Sequence, residues 1–196
     1  MDERKLARLI TDVVVRRPLF WRLVRGRLRD MFDRIAPTWE ARLRAEHLDA
    51  LRLALEGIDP PARVLDVGTG TGVAAHALAG WFPTADVVGV DLAPAMVAEA
   101  ERKGGRARFL VADASQLPFP DGSFDLIVLM NAIPFFGELA RVVAPGGTLA
   151  VSFSRGAETP IHVPEDRLRH GLGRRGFTDF AAFAAPPATA FRARRR

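Results

Sequence analysis

The sequence predicts an α/β fold built on a parallel sheet, and three observations carry that expectation. The run Val-Leu-Asp-Val-Gly-Thr-Gly-Thr-Gly at 64–72 reads as a buried strand that breaks into a glycine loop, and a helix follows it. Apolar strand-like runs then alternate with helical stretches as far as residue 154, which implies right-handed crossovers between parallel strands. Four successive strands carry a polar residue at or near their C-terminal ends: Asp66, Asp91, Asp113 and Asn131. In an open α/β sheet that edge is where ligands bind.

Each element has its own signal. Residues 1–60 lack a strand pattern. Leu6, Leu9, Ile10 and Val13 recur at helical spacing. Pro18 ends that helix or opens a second one over 19–32, where Leu19, Leu23 and Val24 share a face beside Phe20 and Trp21. A third helix is expected over 37–56, stopped by Gly57, with Pro60-Pro61 as a rigid linker. The core then runs strand 63–67, helix 73–81, strand 86–90, helix 93–103 and strand 107–112. A Pro, Asp and Gly-rich loop at 116–123 leads to strand 124–130 and a short helix over 138–143. Pro145-Gly146-Gly147 turns the chain into strand 148–154. A helix over 164–175 has Glu165 and Asp166 in its first turn, as the helix dipole prefers. Two weak alanine-rich strands, 177–184 and 189–194, flank Pro186-Pro187.

The loop residues distinguish between two nucleoside cofactors. A dinucleotide fingerprint is G-x-G-x-x-G, but here Gly68, Gly70 and Gly72 alternate and Val73 stands where the third glycine belongs. Asp66 would repel a pyrophosphate. Beside a cationic ligand the same carboxylate is useful, and S-adenosylmethionine carries an ammonium and a sulfonium and no phosphate. Asp91 follows the loop by about 20 residues, where a ribose diol is gripped. Asp113 is placed to meet an adenine amino group.

With those residues in view, the chain resembles the class I S-adenosylmethionine-dependent methyltransferases. The run at 64–72 looks like their first motif, and 88–96 like their second-strand motif. Residues 112–125 resemble the third- and fourth-strand motifs of the type 11 subgroup, and 142–149 the turn into the fifth strand. Met31 to Trp39 resembles the N-terminal segment of quinone-biosynthesis C-methyltransferases, where an aromatic residue closes over the cofactor; Trp39 takes a place usually held by tyrosine. The resemblance implies a Rossmann-like, seven-stranded, mostly parallel sheet flanked by helices. It implies a helical lid over 1–60 and an S-adenosylmethionine-binding methyltransferase domain over 61–196, completed by an antiparallel C-terminal hairpin. It further implies that Asp66 and the backbone of Gly68, Thr69 and Gly70 hold the methionine part of the cofactor. Asp91 would take the ribose, with Leu92 and Met96 lining the adenosine. Asp113 and Ala114 would recognise adenine, and Asn131 would sit under the sulfonium. The acceptor expected is a small molecule, such as a lipophilic quinone precursor.

Composition sets outer limits. The 196 residues are 48% hydrophobic, enough for one cored domain. No apolar run reaches the ~18–20 residues of a membrane span, and no secretory signal is visible, so a cytoplasmic location is expected. The absence of cysteine excludes disulfides, thiolate metal sites and Cys nucleophiles, and no metal is expected. Methyl transfer from a sulfonium needs a base only where the acceptor must lose a proton. Tyrosine is absent, and of His47, His76, His162 and His170 only His162 lies on the ligand-bearing side as a candidate base. His47 and His170 are expected at the surface, and Phe135-Phe136 could wall an acceptor pocket. The net charge is +5, and Arg16, Arg17, Arg22, Arg25, Arg27 and Arg29 fall together without an acid. That stretch is compatible with contact at an anionic membrane surface. A nucleic-acid substrate is disfavoured, because Asn131-Ala132-Ile133-Pro134-Phe135 only approximates an amino-methylation motif. An S-adenosylmethionine-binding protein without turnover remains the other alternative. The oligomeric state is open.

Overall fold

A computed structural model describes residues 3–42 and 45–196. Its strands are β1 (Arg63–Val67), β2 (Asp86–Asp91), β3 (Arg108–Val111), β4 (Phe124–Met130), β5 (Val143–Phe153), β6 (Phe177–Ala185) and β7 (Ala188–Arg195). They form one sheet in the order β3-β2-β1-β4-β5-β7-β6. The first five are parallel, and β7 pairs antiparallel with both β5 and β6. The sheet is thus the seven-stranded, mostly parallel one expected, with its hairpin at one edge. The chain steps from β1 outward through β2 to β3 and then restarts at β4 on the other side. That reversal opens a crevice at the C-terminal tips of β1 and β4.

The helices are α1 (Glu3–Arg16), α2 (Trp21–Ile35), α3 (Asp49–Leu55), α4 (Val73–Trp81), α5 (Pro94–Arg102), α6 (Phe136–Val142) and α7 (Glu165–Gly173). Strand side chains alternate between faces. Leu65, Ile127, Leu129 and Val151 therefore pack with Leu139, Leu168 and Leu172 of α6 and α7. Val64, Leu126, Val128 and Ala150 pack with Leu51 and Leu55 of α3 and Ala75 and Leu78 of α4. Strands buried on both faces read as continuous apolar runs, which is why β1 and β4 are where the sequence puts them.

The segment before residue 60 departs from expectation. In place of a third helix over 37–56 there are two 3-10 turns, Ala36–Arg42 and Ala45–Leu48, and then the short α3; residues 43 and 44 of that stretch lie outside the described residues. Pro37 removes a backbone donor, and the chain must change direction here. Trp39 and Glu40 lie against the glycine loop, whereas α3 is on the back of the sheet, with Ala50 and Ala54 buried against Ala188 and Ala190. His47, expected at the surface, is buried in this bend. Ahead of it, α1 and α2 run along the C-terminal edge of the sheet. Arg8 donates to the Thr159 carbonyl at 3.2 Å, and Asp12 pairs with Arg167 of α7.

Candidate active site

The glycine loop is held tightly onto the neighbouring strand. Gly68 N and Thr69 N both donate to the Val90 carbonyl, at 2.8 and 2.9 Å, and Gly70 N donates to Asp91 Oδ2 at 2.8 Å. Two of the glycines have steric reasons. Gly68 has φ +71°, and a Cβ there would lie 2.5 Å from Ala132 Cβ; Gly72 has φ +80°, and a Cβ would lie 2.8 Å from the Phe109 ring. The loop is therefore pressed between the β4 tip and the β3 side of the sheet. Its first three amides are spent internally, so at these positions it has no donor left for a phosphate.

The acids line the same edge. Asp66 is fully buried beneath the loop, where its Oδ2 accepts from Thr69 Oγ1 at 2.6 Å and its Oδ1 has no hydrogen-bond partner. Burial pushes its carboxyl up to about 7; the Thr69 bond opposes this and the nearby Asp91 charge adds to it. Asp91, at the tip of β2, accepts from Ala93 N with Oδ1 at 2.9 Å as well as from Gly70 N. Burial raises its carboxyl, against the pull of those amides. A carboxylate offers about four acceptor sites, so Asp91 retains capacity for a diol. Asp113 follows β3. Burial works to raise it, but bonds from Ser115, Arg25 and Trp21 outweigh that and hold it below the usual range.

Asn131 has a left-handed backbone, φ +54°, which asparagine tolerates better than most residues. Its amide is committed across the β4 and β5 tips: Nδ2 donates to Ser154 Oγ and Oδ1 accepts from Ser154 N, both at 2.9 Å. His162 packs edge-on against Phe153, with ring centroids 4.8 Å apart, at the end of β5. Burial, then the Arg8 charge, lowers its imidazole from the ordinary histidine value. Of the other histidines, His76 packs edge-on against Phe109 and His170 is exposed.

The N-terminal segment supplies contacts that the sequence did not predict, made by Trp21, Arg25, Asp33 and Glu40. Trp21 Nε1 donates to Asp113 Oδ1 at 2.8 Å, and Arg25 Nη1 to Oδ2 at 2.7 Å. Trp21 also meets Phe135 edge-on at 5.3 Å, in an apolar cluster that takes in Leu92, Ala114 and Ile133. Phe135 is thus buried in this cluster beside the acidic edge, while Phe136 turns into the core against Gly171. Asp33 Oδ1 accepts from Ala95 N at 2.9 Å, in the first turn of α5, satisfying an orphan donor there. Trp39 packs against Phe32, and its Nε1 lies 3.6 Å from where a Gly70 Cβ would be. Met96 is enclosed in the same cluster with Ala36, Phe32 and Trp39. Glu40 accepts from Thr71 Oγ1 and pairs with Lys103, whose ammonium burial lowers. The four hydrogen bonds made by Trp21, Arg25, Asp33 and Glu40 span 31 to 92 positions in sequence. The advance signals were the aromatic and basic composition of α2 and the resemblance of the Met31 to Trp39 segment to one whose aromatic residue closes over a cofactor.

The arrangement is an edge of acceptors: buried or half-buried carboxylates, an unpartnered buried oxygen at Asp66 and a loop without free amides at its start. It fits a cationic nucleoside and not a diphosphate. A separate cavity of about 570 Å³ lies at the opposite edge of the sheet, lined by Asp59, Pro61, Asp125 and Thr148 among others. The Asp125 carboxylate there is taken up by the backbone of Ala62 and Arg63, and none of the expected ligand residues lines it.

Comparison with known proteins agrees with this geometry. Residues 64–147 match a model of the methyltransferase domain. The malonyl-[acyl-carrier protein] O-methyltransferase of Geobacter sulfurreducens is 32% identical over 81% of this chain and 73% of its own length. The demethylmenaquinone methyltransferase of Thermus thermophilus is 45% identical over 62% of this chain. A solved S-adenosylmethionine-dependent methyltransferase from Mesorhizobium loti shares the fold, with TM-score 0.62 and 20% identity over 77% of this chain and 98% of its own. The fold and the site define a class I S-adenosylmethionine-dependent methyltransferase, and this chain belongs to that family. The chain spans 63% of the Thermus relative's length and 49% of that of the demethylmenaquinone methyltransferase of Beutenbergia cavernae.

Proposed function

We propose that the chain transfers a methyl group to a small-molecule acceptor with a lipophilic ring, such as a quinone precursor. The observation that carries this reading is the row Asp66, Asp91 and Asp113 along one sheet edge, closed by the apolar wall of Trp21, Phe135, Leu92 and Ile133. When bound there, S-adenosylmethionine supplies an already activated methyl group. Positioning and water exclusion are then the protein's main work.

The residues divide that work. Asp91 accepts the ribose hydroxyls. Asp113, oriented by Trp21, Arg25 and Ser115, accepts the adenine amino group, with Leu92 and Ala114 as apolar walls. The backbone of Gly68, Thr69 and Gly70 shapes the methionine end, and Asp66 supplies negative potential from beneath the loop. Met96 backs the adenosine from under the lid. The Asn131–Ser154 clamp fixes the β4 and β5 tips where the sulfonium lies. His162 removes a proton where the acceptor must lose one. The relatives named as demethylmenaquinone methyltransferases support a ring acceptor.

The test is acceptor-dependent formation of S-adenosylhomocysteine by the purified chain. The substrates are demethylated quinone precursors, small dicarboxylic acids and tRNA transcripts. Turnover with the quinone precursors is expected, and His162→Gln lowers kcat by roughly 10²–10⁴-fold. Turnover confined to RNA, or none with any acceptor despite cofactor binding, overturns the reading.

A further inference from the structure

We propose that the outer face of the turn between α1 and α2 docks on an anionic lipid bilayer. Among the described residues, the most exposed large apolar side chains are Leu19 and Leu23, at 76% and 74% of their full exposure. They stand four positions apart, the spacing that brings side chains together on a helical surface. A monomeric soluble domain gains nothing from exposing two leucines side by side on an element whose other face is already well packed. That other face holds Trp21, Val24 and Leu28 in the apolar cluster with Phe135. The outward leucines are therefore surplus to the packing of the lid.

Charge selects the partner. Arg17, Arg22 and Arg27 lie within four positions of one or other leucine and are exposed, and no acid pairs with any of them among the described residues. The neighbouring arginines do have partners: Arg16 pairs with Asp12, Arg25 with Asp113 and Arg29 with Asp30. Two exposed apolar side chains with three unpaired guanidinium groups within four positions match the interface of an anionic bilayer, where leucines enter the acyl boundary and arginines meet phosphates. No helix among the described residues is long and apolar enough to cross a membrane, so the contact is peripheral. The inner face of the same helix holds Asp113 through Trp21 and Arg25. Docking by the outer face thus brings the segment that covers the Asp113 edge next to lipid, where a lipophilic acceptor is concentrated. In that respect the inference deepens the proposed acceptor class and rests on it; the surface itself does not.

The test is co-sedimentation of the whole protein with vesicles of phosphatidylcholine alone or mixed with phosphatidylglycerol. The variants are Leu19→Glu/Leu23→Glu and Arg17→Glu/Arg22→Glu/Arg27→Glu, each checked for an unchanged melting temperature and unchanged S-adenosylhomocysteine binding. Expected is binding to the anionic vesicles that falls at least about tenfold in either variant and weakens with salt. Failure of the wild type to pellet overturns the proposal, as does equal pelleting by the variants. So does a Leu19- and Leu23-dependent dimer, or RNA binding, in place of vesicle binding. Acceptor turnover in detergent-free solution is measured separately, so a negative vesicle result leaves the methyl-transfer reading standing or falling by its own assay.

Discussion

Asp66 links the stability of the fold to pH, and on the proposed assignment it links cofactor binding to pH as well. In the folded protein its carboxyl titrates at about 7, because burial disfavours the charge; in an unfolded chain it titrates near 3.8. The folded state therefore keeps a proton that the unfolded state loses. Its contribution to stability is complete below about pH 4 and declines by about 1.4 kcal/mol per unit as pH rises to about 7. A cation bound above the loop favours the ionised form, so cofactor binding expels that proton. S-adenosylmethionine affinity is expected to rise with pH up to about 7 and then level off. Calorimetric titrations at pH 6 in buffers of different ionisation enthalpy should register proton release, and Asp66→Asn should abolish it; a pH-independent affinity contradicts the assignment. Asp66, Asp91 and Asp113 were legible in the sequence because each follows an apolar run at a strand tip. The orphaned Oδ1 was not legible, since burial of one oxygen depends on how the loop, β2 and β4 close over it. Asn131 was legible as a tip residue, but its pairing with Ser154 was not, because that bond joins neighbouring strands 23 positions apart.

The N-terminal helical segment, proposed as a lid, is the element whose behaviour is most open to measurement. It is tied down at Asp113 by Trp21 and Arg25, at the start of α5 by Asp33, and at the glycine loop by Trp39 and Glu40. The exposed ion pair of Arg25 adds little, so the buried Trp21 ring is the principal anchor. Trp21→Ala removes the contact with Phe135 and the indole bond together, a change of the kind that costs about 3–5 kcal/mol in a core. Local opening of α2 without global unfolding is the expected result. Hydrogen exchange should show lost protection over residues 21–35 with β1 and β4 unchanged; unchanged protection of α2 contradicts its dependence on Trp21. The strands and α4 were legible because continuous apolar runs on both faces leave few alternatives. The bend after Pro37 was not, because contacts of Trp39 and Glu40 with a loop 31 positions away break a stretch whose local pattern is helical. The alanine-rich β6 and β7 gave a weak signal of their own and were recognisable mainly through the resemblance.

Across the whole molecule, function concentrates at one end. The parallel strands bring their tips to one edge, the reversal between β1 and β4 opens it, and the N-terminal segment closes it from outside. The order of the strands and the spacing of the acids were enough to point to that edge, and the resemblance to expect a helical cover, whereas the contacts of Trp21, Arg25, Asp33 and Glu40 emerged only from the tertiary structure. The central claim is that Asp91 and its neighbours make this edge a cradle for a cationic nucleoside. A carboxylate accepting two hydroxyls contributes about 1.5–3 kcal/mol, so Asp91→Ala should weaken binding roughly 10–100-fold while the fold survives. The most direct measurement is calorimetric titration of wild type and Asp91→Ala with S-adenosylmethionine and, separately, with NADH. The account predicts one-to-one binding of S-adenosylmethionine that drops by that factor in the variant, and no binding of NADH. An unchanged affinity in Asp91→Ala, or preferential binding of NADH, would contradict it.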